Sequence, residues 1–124
     1  MADMTFFDDP GQTPQPRDQI RLEQVSLHPY PDGRRIKIGL RITPFGPTDR
    51  PNLEIAVRNP AGAEAASMSV IESLENDFAL TIHLRGEDNP TGTYHVEVHL
   101  FYDPETIQHS LTASFALPPE TAAG

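Results

Sequence analysis

Residues 35–42 read RIKIGLRI, so Ile36, Ile38, Leu40 and Ile42 fall on one side of an extended chain and Arg35, Lys37, Gly39 and Arg41 on the other. A strand sends successive side chains to opposite faces, so this period of two predicts a half-buried strand; a helix would mix the two sets. The same alternation recurs with Leu53, Ile55 and Val57; with Phe78, Leu80, Ile82 and Leu84; with Tyr94, Val96, Val98, Leu100 and Tyr102; and with Leu111, Ala113, Phe115 and Leu117. Each run predicts a strand with one dry face.

Two further segments are less regular. IRLEQVSL alternates through Ile20 and Leu22 and resumes one step out of phase at Val25 and Leu27, which predicts a β-bulge near Glu23 and Gln24. AASMSVIES reads either as a strand with Ala66, Met68 and Val70 inward or as a short helix carrying Ala66, Val70 and Leu74; its serines and β-branched residues favour the strand. Between these runs lie turn signals, chief among them YPDGR at 30–34, where proline fixes φ, aspartate bonds back to the backbone and glycine accepts positive φ. None of the 13 prolines falls inside a proposed strand, as a hydrogen-bonded ladder requires. Seven short strands at this spacing predict an all-β sandwich or barrel.

At 124 residues the chain fits one domain. Residues 1–18, rich in proline and acid and without periodicity, are expected to form a flexible arm; residues 19–118 form the domain and 119–124 a tail. Phe6 and Phe7 in the arm are read as incidental. There is no cysteine, no apolar leader and no membrane-length apolar run, which together predict a soluble, cytoplasmic protein without membrane insertion. The net charge of -9 argues against nucleic-acid binding, which draws on a basic footprint.

The run PTGTYHVEV resembles the sixth strand of immunoglobulin-like and fibronectin-type sandwiches, in which a Gly-x-Tyr-x-hydrophobic sequence follows a turn; Gly92, Tyr94 and Val96 match that order. Bacterial immunoglobulin-like and macroglobulin-type domains are similar in pattern over residues 18–118, including the VRNPAG turn and the FALTIHL strand. The inter-sheet cysteines and the tryptophan of antibody domains are absent. The resemblance implies a seven-stranded antiparallel immunoglobulin-like β-sandwich. Its first, second and fifth strands would form one sheet and its third, sixth and seventh the other, with the fourth at an edge and Tyr94 forming a corner.

His95, Glu97 and His99 alternate within GTYHVEVH like metal ligands, but a rise of ~3.3 Å per residue puts the two histidines about 13 Å apart. They cannot share one ion, and His83 would lie in the other sheet, so a wet strand face is expected, with no metal and no cofactor. No nucleophile elbow, phosphate loop, zinc-protease helix or dinucleotide fingerprint is present. The acid pairs Glu87–Asp88 and Asp103–Glu105 fall in turns, and GEDNPTG lacks a calcium-ligand spacing. These readings point to a protein without catalytic activity.

Charge is unevenly placed: residues 17–58 hold eight of the nine basic side chains, and residues 59–124 hold only Arg85 against ten acids. Arg35, Lys37 and Arg41 on the second strand, Arg21 on the first, and His83 with Arg85 on the fifth are expected to share an outer face. That basic face would dock an acidic protein or the acidic end of a second copy. Phe101, on the outward phase of the sixth strand, is either covered by a loop or an interface anchor. Together these features predict a protein-interaction or assembly module, with a carbohydrate- or small-anion-binding module as the alternative.

Overall fold

The computed structural model describes residues 13–85 and 92–117. A 3-10 turn, Arg17–Gln19, precedes seven strands: β1 (Leu22–Pro29), β2 (Arg35–Ile42), β3 (Asn52–Arg58), β4 (Glu64–Val70), β5 (Asp77–His83), β6 (Gly92–Asp103) and β7 (Thr106–Leu117). They form two antiparallel sheets, β1-β2-β5 and β4-β3-β6-β7, so the chain is a seven-stranded β-sandwich with β4 at an edge. Residues 64–70 take the strand alternative: Met68 pairs with Ile55 and Ser67 with Ala56, which puts the serines on the wet side. Among the described residues there is no α-helix, and no helix long and apolar enough to cross a membrane.

The dry faces meet in one core. Ile36, Ile38, Leu40 and Ile42 of β2 pack in it with Leu53, Ile55 and Val57 of β3 and Val96, Val98 and Leu100 of β6, all buried. Each such side chain contributes about 1.5–3 kcal/mol by leaving water, so apolar packing holds a sandwich that has no disulfide. The expected bulge lies between Leu22 and Gln24, where the β1–β2 register shifts. A second shift, between Val57 and Arg58, inserts Ala65 into β4 and explains why Ala65 and Ala66 are both buried in a strand that otherwise alternates. Tyr94 is buried and stacks on its cross-strand partner Phe115 at 5.2 Å between ring centroids.

Residues 13–18, read as part of the arm, are attached to the sandwich. Gln15 bridges to Phe45, and its N–H donates to the Pro44 carbonyl at 2.9 Å. The Arg17 guanidinium donates to the Thr48 carbonyl at 2.7 Å, pairs with Asp49 at 3.2 Å, and lies over the Tyr102 ring at 4.6 Å. From β7, Gln108 Nε2 donates to the carbonyls of Arg17 and Ile20. These partners are 29 or more residues away in sequence, beyond the reach of a local pattern. Residues 1–12 with Phe6 and Phe7, residues 86–91 with Glu87 and Asp88, and residues 118–124, which include the tail 119–124, lie outside the described residues.

Candidate functional site

Four surfaces carry chemistry, and the pairing registers place their side chains. On the outer face of β1-β2-β5, one row holds Arg35 and His83, the next His28, Lys37 and Thr81, the next Ser26, Gly39 and Ala79, and the last Gln24, Arg41 and Asp77. A side chain at Gly39 would meet Ser26 Oγ, so the middle row is a shallow dip rather than a charged ridge. Arg35 pairs with Asp32 at 3.0 Å and lies over the Tyr30 ring, while Arg41 approaches Asp77 at 3.8 Å. Lys37 is the cation of this face without an ion pair among the described residues.

Two of the expected basic residues lie just beyond the ends of the strands. Arg21 precedes β1 and stands opposite Thr43, whose N–H donates to the Arg21 carbonyl at 2.9 Å, and its guanidinium bonds the carbonyls of Asp18 and Ile20. Arg85 follows the end of β5 and turns to β4, where its N–H donates to the Ala65 carbonyl and its guanidinium pairs with Glu64 at 3.6 Å. The alternation of β1 thus carries past its end to Arg21, whereas that of β5 does not carry to Arg85. What remains is a mixed-charge face centred on Lys37.

The opposite face carries His95, Glu97 and His99 along β6. His99 Nε2 lies 3.2 Å from Glu97 Oε2, and across the β3–β6 pairing Glu54 stands opposite His99 while accepting a 2.6 Å bond from Ser69 Oγ. Among the described residues no group of three His, Cys, Asp or Glu side chains could hold a metal ion. Phe101 lies at the end of this face, half-buried, opposite Asn52 on β3 and Ile107 on β7, with register breaks on both sides of it. Ile107 remains 53% exposed.

Around the Arg17 clamp an open cleft of about 460 Å³ is lined by Arg17, Asp18, Tyr102, Asp103, Thr106 and Gln108. The Tyr102 hydroxyl donates to the Asp49 carbonyl at 2.7 Å, and its burial pushes the phenol up to about 12.

The fourth surface gave no sequence signal. The turn 71–76 joins the edge strands β4 and β5, and it exposes 70% of Ile71 and 76% of Leu74, more than any other large apolar side chain among the described residues. Between them Ser73 is 2% exposed. The Ser73 N–H donates to the Pro51 carbonyl at 2.9 Å and its hydroxyl to the Glu75 carbonyl at 2.8 Å. The Glu72 N–H donates to Asn52 Oδ1 at 2.8 Å, and the Asn76 carbonyl accepts from the Ile42 N–H at 2.7 Å. Glu72 is held at φ 50°, the left-handed region that favours glycine. A groove of about 410 Å³ beside the turn is lined by Val70, Ile71, Ser73, Leu74, Phe78 and Ala79 among others.

No family model matches the chain. No curated protein matches it in sequence. Its fold is similar to part of an FMN-binding β-glucuronidase from Facaelibacterium prausnitzii L2-6, with a TM-score of 0.54 and 15% identity over 78% of this chain and 16% of that one. β-Glucuronidases from Lactobacillus rhamnosus (14% identity, TM-score 0.47) and Ruminococcus gnavus (10%, 0.49) align over 80% of this chain and 16% of theirs. The chain thus spans about one-sixth of the length of these enzymes, and at such identities the likeness concerns the fold alone.

Proposed function

We propose that the chain is a non-catalytic, immunoglobulin-like interaction module that docks a protein partner through the turn 71–76. The observation that carries this reading is a pair of exposed apolar side chains, Ile71 and Leu74, on a backbone fixed by bonds to Pro51 and Asn52. Apolar groups on a mobile loop lose ordering entropy when bound; groups on a backbone already fixed lose less. A non-glycine residue in the left-handed region is also characteristic of functional turns. Glu72 and Glu75 each follow one of the apolar pair and form no ion pair among the described residues, so the matching partner presents an apolar pocket with a basic rim. The immunoglobulin-like part of the reading is supported by the strand order, in which the fourth strand joins the third beside the sixth and seventh.

The test compares affinity purification from the native cell on wild type, on Ile71→Ser/Leu74→Ser and on Lys37→Gln. A partner kept by wild type and Lys37→Gln, and weakened at least about tenfold by the double variant, is the expected result. A partner indifferent to the double variant but lost with Lys37→Gln would move the docking site to the β1-β2-β5 face.

A second reading is carbohydrate binding in the cleft at Tyr102, where a ring, an amide and a guanidinium stand together as in sugar sites. The likeness in fold to part of one β-glucuronidase agrees with it. Titrating glucuronic acid against the chain, with shifts confined to Gln108, Thr106 and Asp103, would favour it over the first.

A further inference from the structure

Three of the four edge strands carry features that discourage pairing with another strand. β1 has the bulge at Glu23 and ends on Pro29; β4 begins with Glu64 and its inserted Ala65; β5 is seven residues long with Asp77 at its start and Arg85 just beyond its end. β7 differs. After the irregularity at Gln108 it runs in unbroken register against β6 from His109 to Leu117, and the stretch Ser110–Leu117, SLTASFAL, contains no Lys, Arg, Asp, Glu or Pro. His109 is already engaged, its Nδ1 accepting the Leu22 N–H at 2.9 Å. Beyond it, among the described residues, β1 packs alongside β7 but no backbone hydrogen bond joins β7 to anything but β6.

We propose that this edge pairs with the same edge of a second copy of the chain, merging two four-stranded sheets into one of eight strands. The charge pattern selects the occupant. A protein of net charge -9 repels its own kind, so a surface meant for a second copy must itself be free of like charge, and Ser110–Leu117 is such a stretch. Side-chain chemistry then selects the register. A two-fold axis through Ala113 puts Thr112 opposite Ser114 on the wet face and Leu111 opposite Phe115 on the dry one, hydroxyl against hydroxyl and apolar against apolar. Leu111 and Ala113 are only half-buried despite facing inward, and the added strand covers them. This contact is separate from the turn 71–76 and does not rest on its proposed role.

The test needs no partner: the mass of the full chain by light scattering over a dilution series at low and high salt, with folding checked by circular dichroism. Wild type should move from 13.7 kDa toward twice that value as concentration rises, and more readily in salt, which screens the net repulsion. Thr112→Lys/Ser114→Lys and Thr112→Glu/Ser114→Glu each set like charges opposite one another and should weaken association at least about tenfold. An equimolar mixture of the two should restore it, because each lysine then faces a glutamate. Ile71→Ser/Leu74→Ser should associate as wild type does. A wild-type mass that stays at 13.7 kDa throughout, a lysine variant that associates normally, a mixture that fails to recover, or loss of association in the turn variant would each overturn the proposal.

Discussion

Two turns of this sandwich are built by opposite means. The turn at 30–35 is local: Gly33 N–H donates to the Tyr30 carbonyl, Asp32 accepts from the Arg34 N–H and pairs with Arg35, and Gly33 takes φ 68°. Its stabilising groups are neighbours in sequence, and YPDGR announces it. The turn at 71–76 is held from elsewhere, by Pro51, Asn52 and Ile42, and gives its left-handed position to a glutamate. A turn that satisfies its own backbone is free to be polar, whereas one pinned by distant strands can hold apolar side chains out in water. That difference places the proposed contact surface on the turn the sequence does not advertise.

The largest expected effect comes from a bond inside the remotely held turn. Ser73→Val removes the hydroxyl that bonds the Glu75 carbonyl from a position 2% exposed, and should cost about 1–3 kcal/mol in a urea melt. Loss of no stability there would mean that the turn is not held as described. The two left-handed positions should respond with opposite signs. Gly33→Ala forces a Cβ into that region and should destabilise by about 1–2 kcal/mol, while Glu72→Gly relieves it and should stabilise by roughly 0.5–1 kcal/mol in the same assay. Equal responses at both sites would erase the contrast between the turns.

The smallest effect concerns pH. The Arg34 N–H, with Arg35 adding to it, holds the Asp32 carboxyl below the usual carboxylate range. A depressed folded-state pKa stabilises above the unfolded value of about 4 and loses that contribution as pH falls through the folded value. The melting temperature of wild type should therefore slightly exceed that of Asp32→Asn at neutral pH, and the gap should close in acid. A gap that persists unchanged at low pH would show that the carboxylate charge is not its source.

The strands were legible because one dry face imposes a period of two, and the out-of-phase step at Glu23 and Gln24 marked a real bulge. The equivalent irregularity at Val57 and Arg58 was not, because adjacent alanines in β4 do not break an alternation visibly. Extending alternation past the end of β5 does not place Arg85, whose partners at Ala65 and Glu64 depend on where the chain turns. The same blindness to distant partners hid the attachment of Gln15 and Arg17. In the turn 71–76 only Ser73 and Asn76 resemble turn residues; most of what fixes the backbone lies at the start of β3.

Amide exchange at Ser73 tests most directly whether this turn is built in advance of any partner. With its N–H donated to the Pro51 carbonyl and its side chain buried, the Ser73 amide should exchange as slowly as that of Leu53 in the adjoining strand. Exchange at the rate of an unstructured peptide would contradict the account, since Ile71 and Leu74 would then ride on a loop that any partner must first order.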